Sequence, residues 1–191
     1  MTALQWWEVL AVILAVVYLV LAIQQNIWCW AAAALSTLLY LYIMFQARLY
    51  MESALQVFYL AMAAYGWYEW RHGGAGGEEL EVTTWPVRNH LWAGSSVILL
   101  VVISGELLSR YSQAALPFLD SFTTWGAMIA TFMVARKILE NWIYWFVIDA
   151  VSIWLYFSRE LYFTAGLFAV YLVMIVIGYR SWRASMQENA A

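Results

Sequence analysis

Apolar runs follow one another along almost the whole chain, broken by short polar intervals. They extend roughly over Trp6 to Ile23, Ile27 to Phe45, Ala54 to Trp70, Leu91 to Leu108, Phe118 to Met133, Trp142 to Phe157 and Tyr162 to Tyr179. Most approach the roughly 20 residues that cross the hydrocarbon of a bilayer, so the pattern predicts seven transmembrane helices and no strand. The fifth and sixth runs are the shortest and are extended by flanking polar residues. The first run carries Glu8 and lacks the basic leader of a signal peptide, which makes it a retained helix. The longest polar interval, RHGGAGGEELEVTTW from Arg71 to Trp85, holds four glycines and three glutamates and reads as a flexible linker. It has no Lys-Ser/Thr ending and no preceding strand, so it is not a phosphate-binding loop.

One apolar run repeats another. FQARLYMESALQVFYLAMAAYGWYEWR, from Phe45, aligns without a gap on FSRELYFTAGLFAVYLVMIVIGYRSWR, from Phe157, with ten identities. These include Tyr59/Tyr171, Gly66/Gly178, Trp70/Trp182 and Arg71/Arg183. The offset of 112 residues makes spans one to three copies of spans five to seven, with span four as connector. An odd connector leaves both copies in one orientation, a parallel repeat about an axis along the membrane normal, with a cleft between the copies. The expected units are residues 1–71, a connector and fourth helix over 72–110, a second unit over 111–183 and a tail at 184–191. Duplication of this kind points to a transporter.

Composition agrees. The chain is 65% hydrophobic and 11% charged over 191 residues, with a mean hydropathy of +0.72, far from the soluble average. With seven spans, Arg71, Arg88, Arg136, Lys137, Arg180 and Arg183 share the side of the C-terminus, against Arg48, Arg110 and Arg159 on the other. That bias predicts a cytoplasmic C-terminus and an outer N-terminus. The net charge of −3 is uninformative about partners. Cys29 is the one cysteine, which excludes an internal disulfide and reads as a small buried thiol. His72 and His90 both fall in the connector region and Lys137 in a loop, so no metal site, intramembrane proton relay or retinal lysine is expected. No nucleophile with a base, nucleotide motif, cofactor motif or nucleic-acid-binding pattern is visible, and the chain is not expected to be an enzyme.

Asp149 is the one carboxylate near the middle of a predicted span. At helical spacing Trp142, Trp145, Asp149, Ser152 and Tyr156 share one stripe. A carboxylate there costs about 2.5–3.5 kcal/mol on insertion scales, so it must face protein, water or a ligand. It is either a structural group bonded to a neighbouring helix or an anchor for a flat, cationic or hydrogen-bond-donating solute between two indoles. In span three Gln56, Tyr59, Trp67 and Trp70 share a stripe; Gln56 corresponds to Phe168 in the second copy, so the copies diverge in polarity. Trp70 and Trp182, at helix ends, are open to two readings, interfacial anchors or solute contacts. Asp120, after Pro117, is expected to cap span five, while Glu106 and Glu8 are expected to snorkel.

ARKILENWIYWFVIDAVSIWLYFSRELYFTAGL, from Ala135, resembles the bacterial nicotinamide riboside transporters called PnuC, which show R-K-x-x-E-N-W-x-x-W, then Asn or Asp, then L-Y. RLYMESALQVFYLAMAAYGWYEW, from Arg48, resembles the L-Y…L-Q-V-F…Y-G-W-Y-x-W of the same family. The resemblance covers both halves. It implies a 3+1+3 fold similar to that of the SWEET sugar carriers, a homotrimer in the bacterial inner membrane, and uptake of a vitamin precursor by facilitated diffusion. It also implies trapping by a cytoplasmic kinase. Carried over onto this chain, the solute-binding positions are Gln56, Trp67, Asn141, Trp142, Trp145 and Asp149. Some members have Asn where this chain has Ser36 and Asp149, which leaves the head-group contacts open. Nicotinamide riboside is ranked ahead of thiamine, both cationic, and ahead of riboflavin, which is uncharged and larger. A SWEET-like sugar carrier and a non-transporting membrane receptor remain as alternatives.

Overall fold

The computed structural model describes residues 3–46, 50–112, 116–158 and 162–189. Arg48 and Arg159, two of the three outer basic residues counted above, and the identical pair Leu49 and Leu161 lie outside the described residues. The helices are α1 (Ala3–Ile23), α2 (Trp28–Gln46), α3 (Tyr50–His72), α4 (Val87–Tyr111), α5 (Pro117–Ala135), α6 (Asn141–Ser158) and α7 (Tyr162–Asn189). All seven predicted spans are present. All but α2, which equals its run in length, are longer than their apolar runs, because polar end residues continue the same backbone ladder. Pro86 precedes α4, and Pro117 opens α5 at a position where its missing N–H costs nothing.

α2 packs between α1 and α3, and α6 between α5 and α7. The halves meet along two seams, α3 against α5 and α1 against α7, while α4 packs chiefly on α5 and touches α6 through His90 and Tyr144. At an offset of 112 each seam is the other's counterpart, so a two-fold relation links the halves. Among the described residues five helices, α1, α2, α4, α5 and α7, are long and apolar enough to cross a membrane. The two that are less apolar, α3 and α6, carry Glu69 and Asp149 amid clustered indoles and phenols, and each is packed between neighbours. Large apolar side chains such as Ile13, Leu35, Ile98 and Val173 point outward, as a lipid-facing surface requires.

The repeat extends well beyond the identities. The α1–α2 turn and the α5–α6 turn are the same turn. Asn26 N–H donates to the Leu21 carbonyl at 2.9 Å, and Ile138 N–H, 112 residues on, donates to the Met133 carbonyl at 2.9 Å. Gln25 and Lys137 occupy the left-handed region with φ of 54° and 48°. Both turns are bonded through main-chain atoms, which is why a pair as unlike as Gln25 and Lys137 adopts one geometry.

At the centre four indoles form a chain across the two-fold relation. Trp30 meets Trp70 edge to face at 5.5 Å, Trp70 meets Trp182 at 5.9 Å, and Trp182 meets Trp142 at 5.4 Å. Trp70 Nε1 donates to the Val134 carbonyl at 3.0 Å, and Trp182 Nε1 to the Ala22 carbonyl at 2.9 Å, again residues 112 apart. Both rings are buried, so the interfacial-anchor reading is corrected: these indoles bind the two halves to each other. Trp30 lies tight over Gly66 and Trp142 over Gly178, where a Cβ would overlap the six-membered ring. The two identical glycines exist to admit the two identical indoles.

Two further expectations are corrected. Asp120 is not the cap of α5. Leu116 holds the N-cap position, and the Asp120 carbonyl accepts from the Thr123 and Thr124 hydroxyls inside the helix. The connector is no free linker in its second part, because Thr83 pairs with the α5–α6 turn. Its N–H donates to Lys137 and its carbonyl accepts from Leu139, at 3.0 and 2.8 Å, and Trp85 N–H reaches Glu140 Oε2 at 3.2 Å. Val82 is buried in the same core as the four indoles. Near the end of α4, Glu106 pairs with Arg110 at 2.6 Å.

Candidate functional site

A cavity of about 250 Å³ lies along the α1–α7 seam. From α6 it takes Asn141, Trp142, Trp145 and Asp149, three to four residues apart after the first pair and therefore on one face. α7 supplies Phe168, Tyr171 and Ile175 at the same spacing, and α1 supplies Ala15, Tyr18, Leu19 and Ala22. Val134, whose carbonyl anchors Trp70, closes the end near the turn. A wider depression of about 490 Å³ on the outer faces of α5 and α6 is lined by apolar groups such as Phe146, Val147 and Trp154. Its lining has no charged group.

Polar groups in the cavity are few and open. Asn141, wholly buried at the first residue of α6, donates through Nδ2 to the Ile138 carbonyl at 2.7 Å, while its Oδ1 has no partner among the described residues. Trp142 Nε1 also has none. Asp149 is 5% exposed, and among the described residues neither a hydrogen bond nor an ion pair engages its carboxylate. The nearest polar interaction on its helix, Ser152 Oγ to the Ile148 carbonyl at 2.9 Å, turns away into the helix's own backbone. A buried acceptor, a buried donor and a carboxylate left unpaired around one void form a constellation that a ligand or water completes. Aromatic walls stand opposite: Phe168 lies 5.6 Å from Tyr171 and 5.2 Å from Tyr156.

Four of the six site positions expected from sequence, Asn141, Trp142, Trp145 and Asp149, thus line one cavity. Gln56 and Trp67 do not line it. Trp67 packs edge to face on Trp28 at 5.4 Å, and Gln56 sits half-buried on α3 in the other half. Trp142 is less a free stacking face than expected, since Gly178 covers one side of it and Trp182 meets it at 88°. Tyr18 and Tyr171 line the cavity without having been singled out, and Phe168 lines it at the position where it diverges from Gln56. The signal for Tyr171 was present in its identity with Tyr59; for Tyr18, whose counterpart is Ala130, the alignment offered none. Among the described residues no group of three His, Cys, Asp or Glu could hold a metal ion.

Comparison with known proteins gives a consistent picture. The riboflavin/roseoflavin transporter RibM of Streptomyces davaonensis is 27% identical over 182 residues, covering 93% of this chain and 84% of its own. The nicotinamide riboside transporter PnuC of Escherichia coli is 24% identical over 213 residues, covering 98% and 89%. A crystal structure of the vitamin B3 transporter PnuC superposes with a TM-score of 0.73 over 96% of this chain and 83% of that one, at 23% identity. Residues 5–184 match the family described as nicotinamide mononucleotide transporter, and the chain therefore belongs to that family of membrane transporters.

Proposed function

We propose that this chain carries nicotinamide riboside inward across the bacterial inner membrane by facilitated diffusion, with a cytoplasmic kinase trapping the solute. The observation that carries the reading is the unpaired Asp149 carboxylate in an aromatic cavity. Nicotinamide riboside has a permanently cationic, flat pyridinium, which answers both a buried anion and indole walls. Its carboxamide is a donor and acceptor suited to Asn141 Oδ1 and Trp142 Nε1, the two groups left open. In this reading the N-terminus is outside, the C-terminus cytoplasmic, and the assembly a homotrimer.

A second reading is riboflavin, favoured by the relation to RibM. Its isoalloxazine is neutral and broader, and leaves Asp149 without a countercharge. Thiamine, whose thiazolium is cationic, would answer the carboxylate equally well.

Uptake into proteoliposomes loaded with the matching kinase distinguishes the three. Nicotinamide riboside should accumulate; accumulation of thiamine in its place would make the thiazolium the cation that Asp149 reads. Asp149→Asn should weaken binding of the cation by about 1.5–3 kcal/mol, roughly ten- to hundredfold, since a charge-assisted contact is lost while shape is kept. Riboflavin accumulation without nicotinamide riboside binding would replace the first reading by the second. An unchanged dissociation constant in Asp149→Asn would make the carboxylate a structural group.

A further inference from the structure

Tyr18 has no counterpart. At the offset that makes Trp30 the mate of Trp142, its own mate is Ala130, which is fully buried on α5. One face of the Tyr18 ring lines the cavity of the second half. The ring also lies 6.2 Å from Trp30 in the first half, and its hydroxyl has Cys29 and Tyr59 as titratable neighbours. Those residues are the mates of cavity groups: Trp30 of Trp142, Cys29 of Asn141 and Tyr59 of Tyr171. Tyr18 therefore stands between the open cavity and the place where the two-fold relation would put a second one.

We infer that Tyr18 is a specificity-determining partition, its phenol shutting the first half's copy of the site and so setting the largest solute the cavity admits. The inference rests on the proposed transport of a flat vitamin, but its physical core does not. A second copy of the site would present Gln56 where the first has Phe168, and Thr37 where it has Asp149. That lining is polar and uncharged, and it suits the extra ring and side chain of a neutral flavin better than it suits a cation. With the partition in place only the charged half-site is available. Removing it joins the two.

Two measurements on the full-length protein in lipid test this. The first follows reaction of Cys29, the one cysteine and wholly buried, with N-ethylmaleimide by intact mass. Cys29 should stay protected in the unmodified protein and in Tyr18→Phe, and should react at least about tenfold faster in Tyr18→Ala. Phe168→Ala, which opens the same cavity from its other wall, should leave Cys29 protected. The second is the uptake ratio of riboflavin to nicotinamide riboside, which Tyr18→Ala should raise by roughly tenfold or more, the size of discrimination apolar walls achieve. Protection of Cys29 in Tyr18→Ala overturns the partition, as does equally fast labelling in Phe168→Ala, which would mean general loosening. If Tyr18→Ala does not fold, Tyr18→Leu takes its place with the same expectations. If the unmodified protein carries neither vitamin, the proposed function falls, while the labelling still decides the role of Tyr18.

Discussion

The two halves of this molecule share a frame and differ in what fills it. Both have the same turn between their first two helices, the same indole over the same glycine, and the same bond from a terminal indole to the opposite half. Yet Asn141, Trp145, Asp149 and Phe168 of the second half stand opposite Cys29, Ala33, Thr37 and Gln56 of the first. The frame is made of contacts that must occur in pairs, because each half holds the other. In the proposed reading the solute lies to one side of the two-fold relation and needs one set of polar groups. Duplication supplied two sites' worth of backbone, and side-chain divergence gave the second half's copy its own polar lining.

The glycines separate frame from site most sharply. Gly66→Ala and Gly178→Ala each drive a Cβ into an indole ring, and each should destabilise the protein by about 1–3 kcal/mol, an overpacking cost. Their effects on function should differ. Gly178→Ala displaces Trp142, which lines the cavity, and should weaken solute binding at least tenfold; Gly66→Ala displaces Trp30 and should change the dissociation constant less than threefold. Thermal unfolding with binding by tryptophan quenching reads both. Equal losses of binding would mean that the halves contribute equally to the site.

Trp70 and Trp182 should behave alike, since each bonds one carbonyl of the opposite half. Phenylalanine at either position removes one of two donors from a carbonyl that keeps the N–H of Lys137 or of Gln25, and should cost about 0.5–1.5 kcal/mol. The asymmetry lies in Lys137, whose ammonium stands 4.8 Å from the Trp70 ring, while its counterpart Gln25 offers Trp182 no cation. Trp70→Phe should therefore be the worse of the two, by up to about 1 kcal/mol. The reverse order would assign the cation–π contact no role.

How much of this was legible depended on whether side chains or backbone carried the repeat. In α3 and α7 the duplication shows as Gly66/Gly178 and Trp70/Trp182, because a ring that must sit on a bare Cα leaves no choice of residue. Between α1–α2 and α5–α6 it is nearly invisible, Trp30/Trp142 being the informative identity, because main-chain hydrogen bonds build those turns. The α6 stripe announced Trp142, Trp145 and Asp149 by helical spacing and by the cost of a carboxylate in a span, whereas Asn141 came only from the family resemblance. Tyr18 was hidden among the aliphatic residues of α1, where nothing in the pattern says which residue turns inward. Burial of Trp70 and Trp182 was missed for a related reason. A tryptophan at a helix end is compatible with either interface or core, and only the neighbouring seam decides.

The seams differ as well. Where α3 meets α5, Arg136 Nη1 reaches Glu69 Oε2 at 3.0 Å, Tyr65 stacks on Phe132 at 6.1 Å, and the connector is tied down nearby. Where α1 meets α7, the place of the ion pair is taken by Ser181 Oγ donating to the Ile23 carbonyl at 3.1 Å. Glu69→Gln should cost under about 1 kcal/mol, since Arg136 is 43% exposed and screened, and most of that should vanish in high salt. Ser181→Ala should cost a similar amount at every salt concentration. Salt-independent loss in Glu69→Gln would show the pair to be shielded from solvent.

The smallest effect concerns the two left-handed turn residues, and its sign follows from burial. Lys137 is buried where Gln25 is not, and desolvation lowers its pKa below the ordinary value of 10.5, against the opposing pull of Glu79 and Glu81. The folded protein thus holds this proton less firmly than the unfolded chain does. Well below the lowered pKa both states are charged, and the full cost of the buried ammonium is present. As pH rises through that pKa toward the ordinary value the unfolded chain binds more protons than the folded one, so stability climbs. Lys137→Gln, which copies the first half's turn, removes the titration and the contact with Trp70 together. Near neutral pH those losses oppose each other and the melting temperature should move little. Toward pH 10 the unmodified protein should gain on the variant by a few tenths of a kcal/mol to about 1 kcal/mol. Parallel melting curves across that range would mean that the ammonium reaches water, and that the second turn is no more enclosed than the first.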